Sequence, residues 1–136
     1  CKIMLQLINT STVALSAGDT LPASVDFNTN PNMLGYDAAT NEIVFLQPGI
    51  YKVFAQAVFA ATAAGLNTVA GDAGATAVPG MTSQFETTAA TQEATYVIQK
   101  NVRVNTALPG AYARLKFEVD TDGVQSNLVI TVEKIR

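Results

Sequence analysis

The chain has 136 residues, 49% of them hydrophobic and only 14% charged, with a formal net charge of −3. That is enough apolar material for the core of one domain, but little charge for a fully solvated surface, so part of the apolar surface is expected to meet another chain. A negative balance with scattered Lys and Arg argues against nucleic acid as a partner, and the absence of histidine removes the Ser-His-Asp and Cys-His templates together with the commonest metal ligand.

Short alternating runs bounded by Gly, Pro, Asn and Asp predict strands throughout, and hence an all-β chain. In CKIMLQLINT, Cys1, Ile3, Leu5 and Leu7 share one face, while Lys2, Met4, Gln6 and Ile8 share the other. Cys1 is the one cysteine, so no intrachain disulfide can form. A lipid-bearing N-terminal cysteine would be followed by a flexible spacer, whereas strand begins at once here. The chain therefore reads as the C-terminal part of a longer one, with a processing boundary before Cys1. No apolar run approaches the ~18–20 residues of a membrane span, and membrane insertion is not expected.

STVALSAGDTLP forms the second run and ends in the turn AGDT; ASVDFN is the third. NTNPNMLGYDAATN, punctuated by Asn, Pro and Gly, is read as a loop with no regular element. NEIVFL leads to a Pro-Gly turn at Pro48 and Gly49. The strand that follows is apolar on both faces: Tyr51, Val53, Ala55, Ala57 and Phe59 on one, and Ile50, Phe54 and Val58, interrupted by Lys52 and Gln56, on the other. A strand of that kind in an antiparallel sandwich points to a second contact surface, usually another subunit. Ala favours a helix for AQAVFAATAAGL, but the Tyr, Val and Phe content favours strand.

The Ala-, Thr- and Gly-rich residues 60–94 are expected to hold one or two short strands joined by a long exposed loop around GDAGATAVPG. ATYVIQKNVRV, AYARLKFEVD and NLVITVEKIR are the last strands, with turns at ALPGA and TDGVQSN. In AYARLKFEVD, Ala113, Leu115, Phe117 and Val119 face one way and Tyr112, Arg114, Lys116 and Glu118 the other. Eight to ten strands at this spacing fit a two-sheet antiparallel sandwich of Greek-key or jelly-roll connectivity.

Chemistry is sparse. Cys1 lacks a base beside it, and Glu42, Glu118 and Glu133 sit among polar neighbours as solvated surface acids rather than as a glycosidase pair. DTDG, Asp120 to Gly123, matches the start of a calcium loop, but its twelfth position is Thr131 instead of a bidentate Glu; a hairpin turn is expected, with a loose surface calcium site at Asp120 and Asp122 as the alternative. AGDAGATAVPG lacks the Lys and helix of a phosphate loop. No catalytic residue, metal or cofactor is expected.

LSAGDTLPASVDFNTN, MLGYDAATNEIVFLQPGIYKVFAQAVF and the terminal NLVITVEKI, in that order, resemble the tumour-necrosis-factor-like jelly roll, particularly its complement-globular-head branch and its bacterial and phage members. Tyr36, Asp37, Thr40, Phe45, Pro48, Gly49, Tyr51 and Val53 match the strand, Pro-Gly turn and strand of that family. The resemblance implies a ten-stranded sandwich over residues 1–136 that assembles as a compact homotrimer. Phe54, Gln56 and Val58 are then the first interface candidates, with Met4 and Ile8 behind them, and Tyr36, Phe45, Pro48, Gly49, Tyr51 and Val53 form a core and turn signature. Low charge and abundant Ala, Thr and Asn are similar to phage head fibres, capsid decorations and spore-surface tips. The implied function is a structural and adhesive trimer on a virion, with a capsid protein or a host-surface glycan as possible partner. A spore- or cell-surface tip, a carbohydrate-binding sandwich, a viral coat subunit and a carboxylate glycosidase are the competing expectations.

Overall fold

The computed structural model describes residues 2–73, 76–105 and 113–136. Among these the chain forms strands and no helix: β1 (Met4–Asn9), β2 (Val13–Leu15), β3 (Ser24–Asn28), β4 (Leu34–Asp37), β5 (Glu42–Phe45), β6 (Gly49–Ala61), β7 (Gly65–Ala73), β8 (Thr76–Thr87), β9 (Glu93–Val104), β10 (Ala113–Val119) and β11 (Gly123–Lys134). They make two antiparallel sheets. One has six strands in the order β3-β1-β11-β6-β9, with β2 beside β11; the other has five, in the order β4-β5-β10-β7-β8. The chain crosses between the sheets after β3, β5, β6, β8, β9 and β10, which gives the two packed antiparallel sheets of a jelly roll.

Period-two alternation decides which side chains enter the space between the sheets. Leu5 and Leu7 of β1, Tyr51, Val53, Ala55, Ala57 and Phe59 of β6, and Leu115, Phe117 and Val119 of β10 are all buried there. Each large aliphatic or aromatic side chain so buried contributes about 1.5–3 kcal/mol relative to exposure. These are the inward faces expected from the sequence. Cys1 and Tyr112, which were assigned to strand faces, and the ALPGA turn lie outside the described residues.

Four expectations are corrected. The stretch 29–41 is not loop throughout, because Leu34–Asp37 pairs with β5 from Leu34↔Phe45 to Asp37↔Glu42. Its flanks do behave as turns: the Asn32 and Ala39 N–H groups donate to the Asn30 and Asp37 side chains at 3.1 and 3.0 Å. An edge strand needs only four residues, too few for alternation to register against that punctuation.

Among the described residues of 60–94 there is no long loop of the expected kind, because β7 and β8 pair with each other from Gly65↔Thr87 to Ala73↔Thr76. Small residues here serve close packing. A Cβ on Gly71 would lie 3.2 Å from the Met81 side chain and 3.4 Å from the Phe117 ring. Pro79 and Gly80, at φ +83°, fall within an irregularity of the ladder, where a missing N–H and a left-handed residue are tolerated. TDGVQSN is mostly strand, since β11 begins at Gly123; its irregular part is a register shift between Ser126 and Val129 around Asn127, at φ 55°. Among the described residues the strands number eleven instead of ten, because short β2 docks on β11 at Gly123–Gln125.

Candidate assembly face

The outward face of the six-stranded sheet is built row by row from its registers. Ile8 lies opposite Val129, Val129 opposite Gln56, and Gln56 opposite Val97. The next row runs Gln6, Thr131, Phe54, Gln99. Ser126, Val58 and Thr95 form a third, while Met4, Glu133, Lys52 and Asn101 form the row on the other flank. Directly opposite residues share a face. The tertiary structure therefore brings Met4, Ile8, Phe54, Gln56 and Val58 onto one surface, although they come from strands about 50 residues apart in the chain.

The three central rows contain no charged side chain. Phe54, Val58, Val129 and Ile8 are half-buried, while Val97 is 49% exposed. A depression of about 330 Å³ opens beside Phe54, lined by Lys52, Gln99, Thr131 and Glu133. The outward face of the five-stranded sheet is different. There Arg114 pairs with Asp37 at 3.0 Å and Glu42 at 3.4 Å, and Lys116 with Glu118 at 3.1 Å. The hydrogen bond and charge of Arg114 hold the Asp37 carboxyl below its usual range. One sheet thus presents ion pairs across its outward face, whereas the other keeps charge to its flank, at Lys52 and the Lys2–Glu133 pair.

Val97, Val129 and Thr131 belong to this face and were missed from the sequence. Val97 could have been found, because it is an apolar residue out of phase with buried Tyr96 and Ile98. The same signal marks Val129, which is out of phase with buried Leu128 and Ile130; the shift at Asn127 obscures only the part of β11 before it.

The turn signature positions this face without lining it. Tyr51 is fully buried, its ring meets Phe45 edge-on at 4.8 Å, and its hydroxyl donates to the Gln47 carbonyl at 2.6 Å. Tyr36 is half-buried; its hydroxyl donates to Asn41 at 2.8 Å and accepts from the Ala23 N–H at 3.2 Å. Burial of both phenols raises their pKa. Val53 faces the core, and Pro48 and Gly49 aim β6 so that Phe54 faces outward.

Asp120 and Asp122 serve different loops. Asp120 accepts the Thr68 N–H at 2.7 Å, and Asp122 accepts the Ala17 N–H at 2.8 Å. DTDG is not the expected hairpin turn, because β10 and β11 lie in different sheets and it is the crossing between them; among the described residues no three His, Cys, Asp or Glu side chains gather to hold a metal.

No protein-family model matches the sequence, and no curated protein matches it significantly. Solved structures do match. The Eiger TNF structure from S. frugiperda superposes with a TM-score of 0.74 at 10% identity, over 99% of this chain and 93% of that one. The fold is a tumour-necrosis-factor-like jelly roll. Murine APRIL at pH 5.0 gives a TM-score of 0.72 at 9% identity, over 99% of this chain and all of that one. PRD1 vertex protein P5 gives 0.65 at 17% identity, over 98% and 97% of the two chains. The jelly roll is thus shared with a vertex protein as well as with TNF-type proteins. At these identities the likeness rests on strand order and packing.

Proposed function

We propose that the chain is a non-enzymatic structural subunit that forms a homotrimer through the outward face of its six-stranded sheet. On this proposal the trimer is displayed on a phage virion as a head fibre, capsid decoration or attachment tip. The observation that carries it is the contrast between the two outward faces: uncharged central rows around Phe54 and Val129 on one, with its ion pair confined to the flank, and ion pairs through Arg114 and Lys116 on the other. Apolar surface left in water is unfavourable by about 25 cal/mol per Å², so a continuous neutral face of this kind favours association.

The likeness to PRD1 vertex protein P5 supports the virion setting, and the likeness to TNF-type proteins supports the fold and leaves an extracellular or spore-surface setting as the alternative. A capsid protein or a host-surface glycan is the partner in this proposal.

Light scattering on the purified protein tests the assembly, with three times the chain mass expected and a stable monomer overturning it. Phe54→Asp places a charge in the middle of the neutral rows and is expected to abolish the trimer while leaving β-sheet circular dichroism intact. A trimer unchanged by Phe54→Asp would place the interface elsewhere. Antibody labelling of purified virions tests the setting; unlabelled particles would remove the virion from the proposal.

A further inference from the structure

The strand ends near Gly49 carry most of the molecule's unneutralised positive charge. Lys52 and Arg103 come from β6 and β9, Lys134 from the end of β11, and Arg136 from the residues that follow it. Their registers bring them to one end of the sheet, though not to one face: Ile50 lies opposite Arg103 and Lys52 opposite Glu133 on the outward face, and Tyr51 opposite Lys134 on the inward one. Among the described residues none of these four cations has a carboxylate within salt-bridge distance, and Glu133 is paired with Lys2 at 3.5 Å. The opposite end has the reverse character. Residues 16–19, 61–68, 86–93 and 120–125 include Asp19, Glu86, Glu93, Asp120 and Asp122 and contain no Lys or Arg.

Apolar side chains lie among the cations. Ile135 is 49% exposed just beyond the last paired residue of β11, and Ile50 is half-buried beside it. The backbone there is tied down. The Ile135 N–H donates to the Ile50 carbonyl at 2.7 Å, the Ile50 N–H to the Arg136 carbonyl at 3.2 Å, and the Lys134 N–H to the Ile3 carbonyl at 2.9 Å. A pre-ordered surface loses little freedom on binding.

We propose that this basic end docks an acidic protein segment that carries an apolar anchor side chain. Charge complementarity selects the acidic character, and Ile135 with Ile50 selects a protein over a bare polyanion. A nucleic-acid backbone asks for a cationic stripe along the molecule, whereas here the cations stop at one end and acids occupy the other. All its groups come from one chain; Lys52, Ile50 and Arg103 lie at the end of the face proposed for the trimer, so the inference rests on that end staying open in the assembly, where threefold repetition would add avidity.

The test is fluorescence anisotropy with a labelled peptide of roughly 12 residues, alternating Asp and Glu around two Leu, at about 50 and 300 mM salt. Its Leu→Ser counterpart and a thymidylate oligonucleotide of equal charge serve as competing probes. Saturable binding of the Leu peptide is expected, weaker by about tenfold for the Ser peptide and for the R103E/R136E double variant, and falling with salt. Ile135→Ser is expected to erase the preference for Leu over Ser. Arg136→Gln gives the same direction of change if the double variant does not fold. The proposal is overturned by absence of saturable binding, by equal binding to the charge-reversed variant, or by oligonucleotide binding as tight as the peptide's. Salt-sensitive head-to-tail association of the protein that the peptide fails to compete would assign the surface to a second copy instead. Light scattering on the same samples reads the trimer separately, so loss of one result leaves the other interpretable.

Discussion

Gly49 is held by two constraints at once. Its φ of +154° lies where side-chain-bearing residues are rare, and a Cβ there would run into the Arg136 carbonyl and come within 2.8 Å of the Lys134 side chain. Gly49→Ala is therefore expected to lower stability by about 2 kcal/mol in urea denaturation, because backbone must move on both sides. Two aspartates give opposite pH signatures. Loss of solvation, and then Glu118 beside it, raises the Asp72 pKa above 3.8, with Lys116 opposing. A raised folded-state pKa means the native state holds the proton more tightly, so the associated stability is present in acid and is lost as pH rises through that value. Asp72→Asn should then raise Tm at pH 7 and leave it unchanged below the ordinary carboxylate range. For Asp37, the Arg114 hydrogen bond lowers the pKa, so its stability is present at neutral pH and is lost as pH falls through the lowered value. Asp37→Asn should lower Tm at pH 7 but not in strong acid; melting curves at the two pH values check both signs.

At the scale of elements, β9 and β11 do not touch in sheet order, yet they are joined inside the sandwich. The Tyr96 hydroxyl donates to the Gln125 Oε1 at 2.8 Å, both side chains are buried, and burial drives the Tyr96 pKa strongly upward. Gln125 Nε2 has no partner among the described residues. Tyr96→Phe would leave the Gln125 amide with neither bond, at a cost of about 1–3 kcal/mol, whereas Y96F/Q125L removes both polar groups and should recover much of that loss. Chemical denaturation of the parent protein, the two single variants and the double variant measures it. Gln125 also shows why β11 was hard to delimit. A buried glutamine beside Ser126 and Asn127 reads as turn composition, and only its hydrogen bond to a distant tyrosine makes it a core residue. The hairpin of β7 and β8 was obscured for a related reason, since Gly71 is small to admit Met81 rather than to bend the chain.

For the whole molecule, the neutral sheet face and the basic end predict different responses to salt. In the proposed trimer the contacts through Phe54, Val58, Val97 and Val129 are apolar, so its mass should be unchanged between about 0.05 and 1 M NaCl, while the proposed contacts of Arg103 and Arg136 should weaken over the same range. Light scattering across a salt series checks the first, and a trimer that dissociates at high salt would show that charges hold it.

The inward faces of β1, β6 and β10, and the Pro48–Gly49 turn, were legible in the order of the residues, because alternation and turn chemistry are local properties that a strand carries with it. The placement of β4, the β7–β8 hairpin, the grouping of Ile8, Phe54, Val97 and Val129, and the gathering of cations at one end were decided by tertiary structure. Each depends on register between strands distant in the chain, and a one-residue shift in any of those registers would send the same side chains to the opposite face.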